Sequence, residues 1–221
     1  MCGRFQLTAS PEEIAEHFHL SCLPKYQPSY NIAPARKILC IVELEDKSLK
    51  AVNLFWGLVP SWSKDTKNSH HLINARAETI REKPSFRAAF QKRRCLIVAQ
   101  GFYEWQKLES GKQAFHIHNQ DNQLFAFAGL WEQWKHEVET LYSCTIIITA
   151  ANELMQPIHE RMPVILPEGC YHDWLNITSN TDDVYDLLEI STYANMVTTP
   201  VGDWVNNPIH DDIRCIESKM K

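Results

Sequence analysis

The sequence is short of the features that announce a chemistry from a distance. Its 221 residues include only seven glycines, and none of them forms a phosphate-cradling loop. No apolar run approaches the roughly 20 residues that a bilayer span needs. No charged stretch followed by an apolar one opens the chain as a signal peptide does. The expectation is a protein with no membrane contact, cytoplasmic, lying with the nucleoid in a bacterium or in the nucleus of a eukaryote. The seven cysteines contain no CxxC unit. Their odd number, without a secretion signal, reads as reduced thiols. His70-His71 and the pair His116 and His118 lack a third ligand at a recognisable spacing, so no metal and no cofactor is expected. There is no repeat, no low-complexity segment and no linker. One domain over residues 1–221 is expected, with the tail after about residue 207 unassigned.

What is present is ordinary in bulk and uneven in detail. A hydrophobic fraction of 44% and a charged fraction of 22% suit a globular chain with a real core. The formal net charge of −5 argues weakly against a nucleic-acid partner. Arg76, Arg81, Lys83, Arg87, Lys92, Arg93 and Arg94, however, face only Glu78 and Glu82 over residues 76–94, a local balance of +5. Such a stretch suits a few phosphates, or equally a solvated helix face.

Ser10-Pro11-Glu12-Glu13 carries the capping-box signature and predicts a helix to about Leu20. Pro24, Pro28 and Pro34 mark residues 21–37 as an ordered loop. Strands are predicted at 38–44, 49–54, 95–99, 102–106, 114–118, 124–130, 142–150, 164–166 and 193–198. Short helices are predicted at 81–91, 151–158, 169–175 and 182–188. Strands dominate and the helices sit at the edges. The expected fold is α+β: a mixed, mostly antiparallel sheet curled toward a barrel, with peripheral helices.

Cys2-Gly3-Arg4 opens the candidate chemistry. Removal of Met1 would leave Cys2 as a 1,2-aminothiol, with an amine of pKa near 8 and a thiol near 8.5. The amine can condense with an aldehyde to an imine, and the thiol can close on the imine carbon to a five-membered thiazolidine. The same two groups also suit an N-terminal nucleophile hydrolase. Cys40, Cys95 and Cys144 lie in apolar runs and read as core. Asn74-Ala75-Arg76 follows the apolar pair Leu72-Ile73; Asn74 could bind a backbone or cap an element, and Arg76 could hold a phosphate or pair with Glu78. Glu104 stands among Phe102, Tyr103 and Trp105, surroundings that suit acid–base work if it points inward. His159 could shuttle protons and Arg161 bind phosphate; a structural histidine is the alternative. Trp56 reads as core, and Trp62, in a polar context, as a stacking surface for a base.

These motifs occur in a fixed order: Cys2-Gly3-Arg4, Tyr30-Asn31-Ile32-Ala33-Pro34, Trp56 to Trp62, Ile73-Asn74-Ala75-Arg76, Gly101 to Trp105, and Ile158 to Pro163. In this the chain resembles the SRAP family, the SOS-response-associated peptidases, over about residues 2–200. The resemblance implies crosslinking to abasic sites in single-stranded DNA, including single-strand/double-strand junctions, by a monomer. It implies Cys2 as the crosslinking residue, Asn74 against the adduct, and Glu104 and His159 as proton movers. It places Arg4, Arg76 and Arg161 on flanking phosphates and gives Trp62, Phe90 and Thr149 the shaping of the DNA path. A thiol peptidase acting on its own Met1, and a non-catalytic reader of modified bases, are the other readings. Two departures stand out. Pro84 occupies a position where some relatives carry a basic residue, and Val201-Gly202-Asp203-Trp204-Val205-Asn206 keeps only part of the family's C-terminal pattern.

Overall fold

The computed structural model describes residues 2–189 and 193–219. Strand β1 (Phe5–Leu7) leads to helix α1 (Pro11–His17). Ser10 accepts from the Glu13 amide and Glu13 returns a carboxylate to the Ser10 amide, so the predicted capping box is formed. Then come β2 (Ser29–Ile32), β3 (Lys37–Glu43), β4 (Leu49–Trp56), β5 (Asn74–Arg76), α2 (Arg87–Lys92), β6 (Arg94–Ala99) and β7 (Gly101–Leu108). The chain continues through β8 (Gly111–Asn119), β9 (Phe125–His136), β10 (Glu139–Ala150), β11 (Arg161–Pro163), β12 (Ile165–Leu166), α3 (Tyr171–Leu175), α4 (Thr181–Asp186) and β13 (Met196–Pro200). The fold is α+β, as expected.

Five strands close into a ring. β10 pairs with β4, β4 with β3, β3 with β6, β6 with β9, and β9 again with β10. A second, open sheet runs β13-β8-β7-β1-β2. The two pack through aromatic rings: Phe5 meets Trp56 at 5.3 Å and Phe127 at 5.9 Å, and Phe102 meets Phe127 at 6.0 Å. Edge-on contacts of this kind add about 0.5–1.5 kcal/mol each beyond area burial.

Beyond the ring, β9 and β10 splay. Residues 161–166 fill the split, with β11 pairing on β10 and β12 on β9. On the far edge of β10, β5 continues where β4 stops. Gly57 permits that handover: its φ is +135° and a β-carbon would meet the Ser69 carbonyl oxygen at 2.9 Å.

Three expectations change. Residues 29–32, inside the proline-marked loop, form β2, because Ser29 and Ile32 find β1 as a partner between Pro28 and Pro34. The helix foreseen at 81–91 starts only at Arg87. Residues 151–158 are turns, not helix, since Asn152 caps them locally through the Met155 amide. All seven cysteines are unpaired, and Cys40, Cys95 and Cys144 are buried, with Sγ of Cys40 and Cys144 3.9 Å apart. Among the described residues no helix is long and apolar enough to cross a membrane.

Candidate functional site

Cys2 lies where the open sheet meets the ring, and it is fully buried. Asn74, the first residue of β5, donates from Nδ2 to the Cys2 carbonyl at 3.1 Å. Its own Oδ1 is buried with no hydrogen-bond partner among the described residues. Burying an unmet acceptor costs about 1–3 kcal/mol. This one sits beside Cys2, the candidate nucleophile.

Strand alternation settles the direction of Glu104. Phe102 faces the ring and belongs to the large core with Cys2 and Phe5. Tyr103 faces the other way, into a small cluster with Ala114, Val201, Val205 and Cys215. Glu104, two residues from Phe102, therefore points inward with it, and it is only 3% exposed. Its charge reaches the Cys2 thiol. Burial first, and the Glu104 carboxylate second, hold that thiol far above the usual cysteine range, so it rests as a neutral S–H.

His159 ends the turns that precede β11. Its Nδ1 accepts from the Arg161 amide at 3.0 Å, which orients the ring. Gln106 Nε2 donates to the Pro157 carbonyl at 2.8 Å and ties these turns to β7. His159, Trp105 and Gln106 line one cleft of about 350 Å³, so His159 and the strand that carries Glu104 share a wall.

The registers of β5 and β11 against β10 place the arginines. Arg76 lies opposite Ile148, and Arg161 opposite Ala150. Paired residues share a face, so Asn74, Arg76 and Arg161 project from one side of β10. Arg76 is exposed, and Arg161 is ion-paired with Glu78. Thr149 lies one residue out of step, paired with Met162, and projects from the opposite face.

The remaining candidates divide. Trp62 is 64% exposed, and its Nε1 donates to the carbonyl of Pro84 at 3.5 Å. Phe90 is fully buried, against Trp174 at 6.1 Å and Tyr185 at 6.3 Å, and supports α2 from beneath. Arg4 is half-buried; its Nη1 donates to Asn31 Oδ1 at 2.8 Å and to the Val205 carbonyl at 2.9 Å. Burial lowers its pKa below the usual arginine range.

The basic stretch is smaller than its sequence suggests. Arg81 binds Asp182 and the Thr181 carbonyl, and Arg93 binds Glu132. Arg94 donates to four carbonyls, those of Trp174, Phe90, Gln91 and Asn176, and burial brings it down to about 10. Arg76, Lys83, Arg87 and Lys92 are exposed, as is the ion-paired Arg81.

Sequence reasoning missed Tyr193 as a neighbour of the site. Its hydroxyl donates to the Pro163 carbonyl at 2.7 Å, and its ring meets Phe102 edge-on at 6.5 Å. Cys2 and Glu104 both act electrostatically on it. A lone tyrosine three residues ahead of β13 carries no motif that would have exposed this. Among the described residues, no group of three or more His, Cys, Asp or Glu could hold a metal ion.

Fold and site together define an α+β barrel protein with a shielded thiol, an inward carboxylate and arginines on the adjoining strands. The chain belongs to the SOS response associated peptidase (SRAP) family, which it matches over residues 1–208. It is 44% identical to the abasic site processing protein YoqW of Bacillus subtilis, over 99% of this chain and 100% of that protein. It is 30% identical to the abasic site processing protein HMCES of Xenopus tropicalis, over 98% of this chain and 78% of that protein. Its fold is similar to a crystal structure of a Bacteroides thetaiotaomicron protein, with a TM-score of 0.85 and 25% identity over 99% and 100% of the two chains.

Proposed function

We propose that this chain processes abasic sites in single-stranded DNA by covalent capture at Cys2. The relatives named above are called abasic site processing proteins, which supports the lesion. The observation that carries the mechanism is the inward Glu104 beside a buried, neutral Cys2 whose carbonyl is pinned by Asn74.

With Met1 gone, the Cys2 amine attacks the C1′ aldehyde of the opened sugar. Water leaves and an imine forms. The thiol sulfur then bonds to the imine carbon, and the S–H proton ends on the nitrogen, giving a thiazolidine. The sum is aldehyde plus aminothiol giving ring plus water. Glu104 takes the thiol proton and returns it to nitrogen. His159 gives the proton that opens the sugar hemiacetal. Arg76, and Arg161 on release from Glu78, hold the phosphates on either side, with Trp62 stacking on a base. The unmet Asn74 Oδ1 accepts from the incoming amine or sugar hydroxyl.

The peptidase reading calls for a ready thiolate. The buried thiol, held neutral beside a carboxylate, favours aldehyde capture, in which the amine moves first. The test is intact mass spectrometry after incubation with an abasic single-stranded oligonucleotide. Wild type should gain the oligonucleotide mass less one water and keep it on heating; Cys2→Ala retains an amine but closes no ring, and should show no heat-stable adduct. A full yield of stable adduct from Cys2→Ala, or none from wild type, overturns the proposal.

A further inference from the structure

The C-terminal segment stands apart from the chemistry, yet its hydrogen bonds converge on the strands that carry it. Asn31 in β2 is fully buried. Its Nδ2 lies 2.7 Å from the His210 carbonyl, 3.1 Å from that of Asn207 and 3.3 Å from that of Val205. Its Oδ1 accepts from Arg4 Nη1. One amide thus joins residues 205–210 to the start of β1. The family match ends at residue 208, so part of this clasp lies beyond it.

The segment is itself stiff. The Trp204 indole is held between the His210 ring, 3.5 Å away and nearly parallel, and the Arg214 guanidinium at 3.8 Å. Asp212 caps the turn that follows and binds Arg214. Asp211 reaches back to the Tyr30 amide at 2.6 Å and to the Ser29 hydroxyl. Trp105 Nε1 donates to Asn206 Oδ1 at 2.7 Å.

Arg4 is the other end of the clasp. Its carbonyl accepts from the Tyr103 amide at 2.9 Å, a rung between the chain leading into β1 and β7. Cys2 lies two residues before that rung, and Glu104 one residue after it. The Tyr103 hydroxyl donates to the Tyr30 carbonyl at 2.7 Å. Neighbouring residues Tyr30 and Asn31 therefore grip both members of the rung from which nucleophile and carboxylate hang. A hydrophobic contact would hold these strands together without desolvating a guanidinium. What a directional polar network adds is a single geometry.

We propose that Asn31 is a positioning residue for the reaction at Cys2. By joining the C-terminal segment to Arg4, it fixes the Cys2 aminothiol relative to the Glu104 carboxylate. The inference rests on the covalent-capture reading.

The test uses full-length Asn31→Ala and Asn31→Asp, well below each variant's Tm. Two quantities are read: Kd for an intact single-stranded oligonucleotide, and the single-turnover crosslinking rate at saturating protein with an abasic oligonucleotide of the same sequence. Asn31→Ala should lose about 10- to 100-fold in rate, the effect of a misplacement on the scale of an ångström, with Kd changed less than about 2-fold. Its pH–rate profile should also move, because the spacing of Cys2 and Glu104 sets their mutual influence. Asn31→Asp keeps the oxygen for Arg4 but turns a carboxylate oxygen toward the three carbonyls that Nδ2 meets, so its rate should fall at least as far as that of Asn31→Ala. A folded Asn31→Ala with wild-type rate, or one losing rate and binding in equal measure, overturns the proposal. If Asn31→Ala does not fold, Tyr103→Phe decides: it removes one hydroxyl from the same rung and should slow crosslinking at unchanged Kd, and a wild-type rate would count against the idea. Absence of adduct in wild type is the separate failure of the capture reading itself.

Discussion

The closed ring and the open sheet both bury aromatic and aliphatic side chains, but they differ in which polar groups they bury and in how the strands are held. The ring takes in Ile41, Ile97, Leu130 and Ile146 with the thiols of Cys40, Cys95 and Cys144, and its buried polar groups are Arg94, Glu132, Ser143 and Thr145 on β6, β9 and β10. The open sheet takes in Asn31, Glu104 and His116, and half of Arg4. A ring closed by main-chain bonds has no edge to satisfy and closes without side-chain hydrogen bonds. The open sheet is held in place by side-chain hydrogen bonds, which have direction. The proposed chemistry lies at the seam, where a rigid wall meets an oriented one.

If that division is real, substitutions on the two sides should fail in different ways. Glu104→Gln, in the open sheet, should slow single-turnover crosslinking by about 10²–10⁴-fold at nearly unchanged Tm, because the amide keeps the shape and loses the proton transfer. An unchanged rate would reduce Glu104 to a structural role. Ile97→Ala, in the ring, should cost about 2–5 kcal/mol in urea unfolding, with the crosslinking rate per folded molecule untouched. A rate collapse there would erase the contrast.

His116 sharpens the comparison through pH. Burial, and then the neighbouring His118, bring it from the ordinary 6.5 down to about 3. Between those values the unfolded chain binds the proton and the folded one does not, so stability is fully present above about 6.5 and falls as pH drops through the window. The steepest slope from one such group is about 1.4 kcal/mol per pH unit. Urea titrations across the window should show His116→Gln with a shallower slope than wild type, and Ile97→Ala with the wild-type slope; equal slopes for His116→Gln and wild type would contradict the assignment. The smallest effect concerns the DNA path. Arg76→Ala should flatten the log–log salt dependence of single-strand binding by about 0.7, the share of one phosphate contact. A wild-type slope in that variant would remove Arg76 from the path.

Local signals were legible in the sequence, and pairings made at a distance were not. The Ser10–Glu13 box declares its helix because every partner lies within one turn. Strand β5 has three residues and no pattern of its own; it exists because Ile146–Ile148 lie beside it. Glu104 was recognisable as a candidate but not as an inward residue, since both Phe102 and Tyr103, on opposite faces of β7, are buried. The charge of residues 76–94 was countable, yet nothing in the count shows that Arg81, Arg93 and Arg94 are engaged with Asp182, Glu132 and main-chain carbonyls. Gly101 reads from sequence as a motif glycine; in the structure the His116 ring lies over its Cα and leaves no room for a side chain.

The strand pair that fills the split between β9 and β10 has a consequence in time. Cys2 is synthesised well before the residues around it: Asn74 is 72 residues later, and Glu104 and Tyr193 arrive later still. At about 5–20 residues per second, residue 163 follows Cys2 by roughly 8–30 s. Until residues 161–166 enter the split, the wall carrying Arg161 does not exist. The shielding seen in the finished fold is therefore acquired late, after the thiol has already spent its most exposed interval.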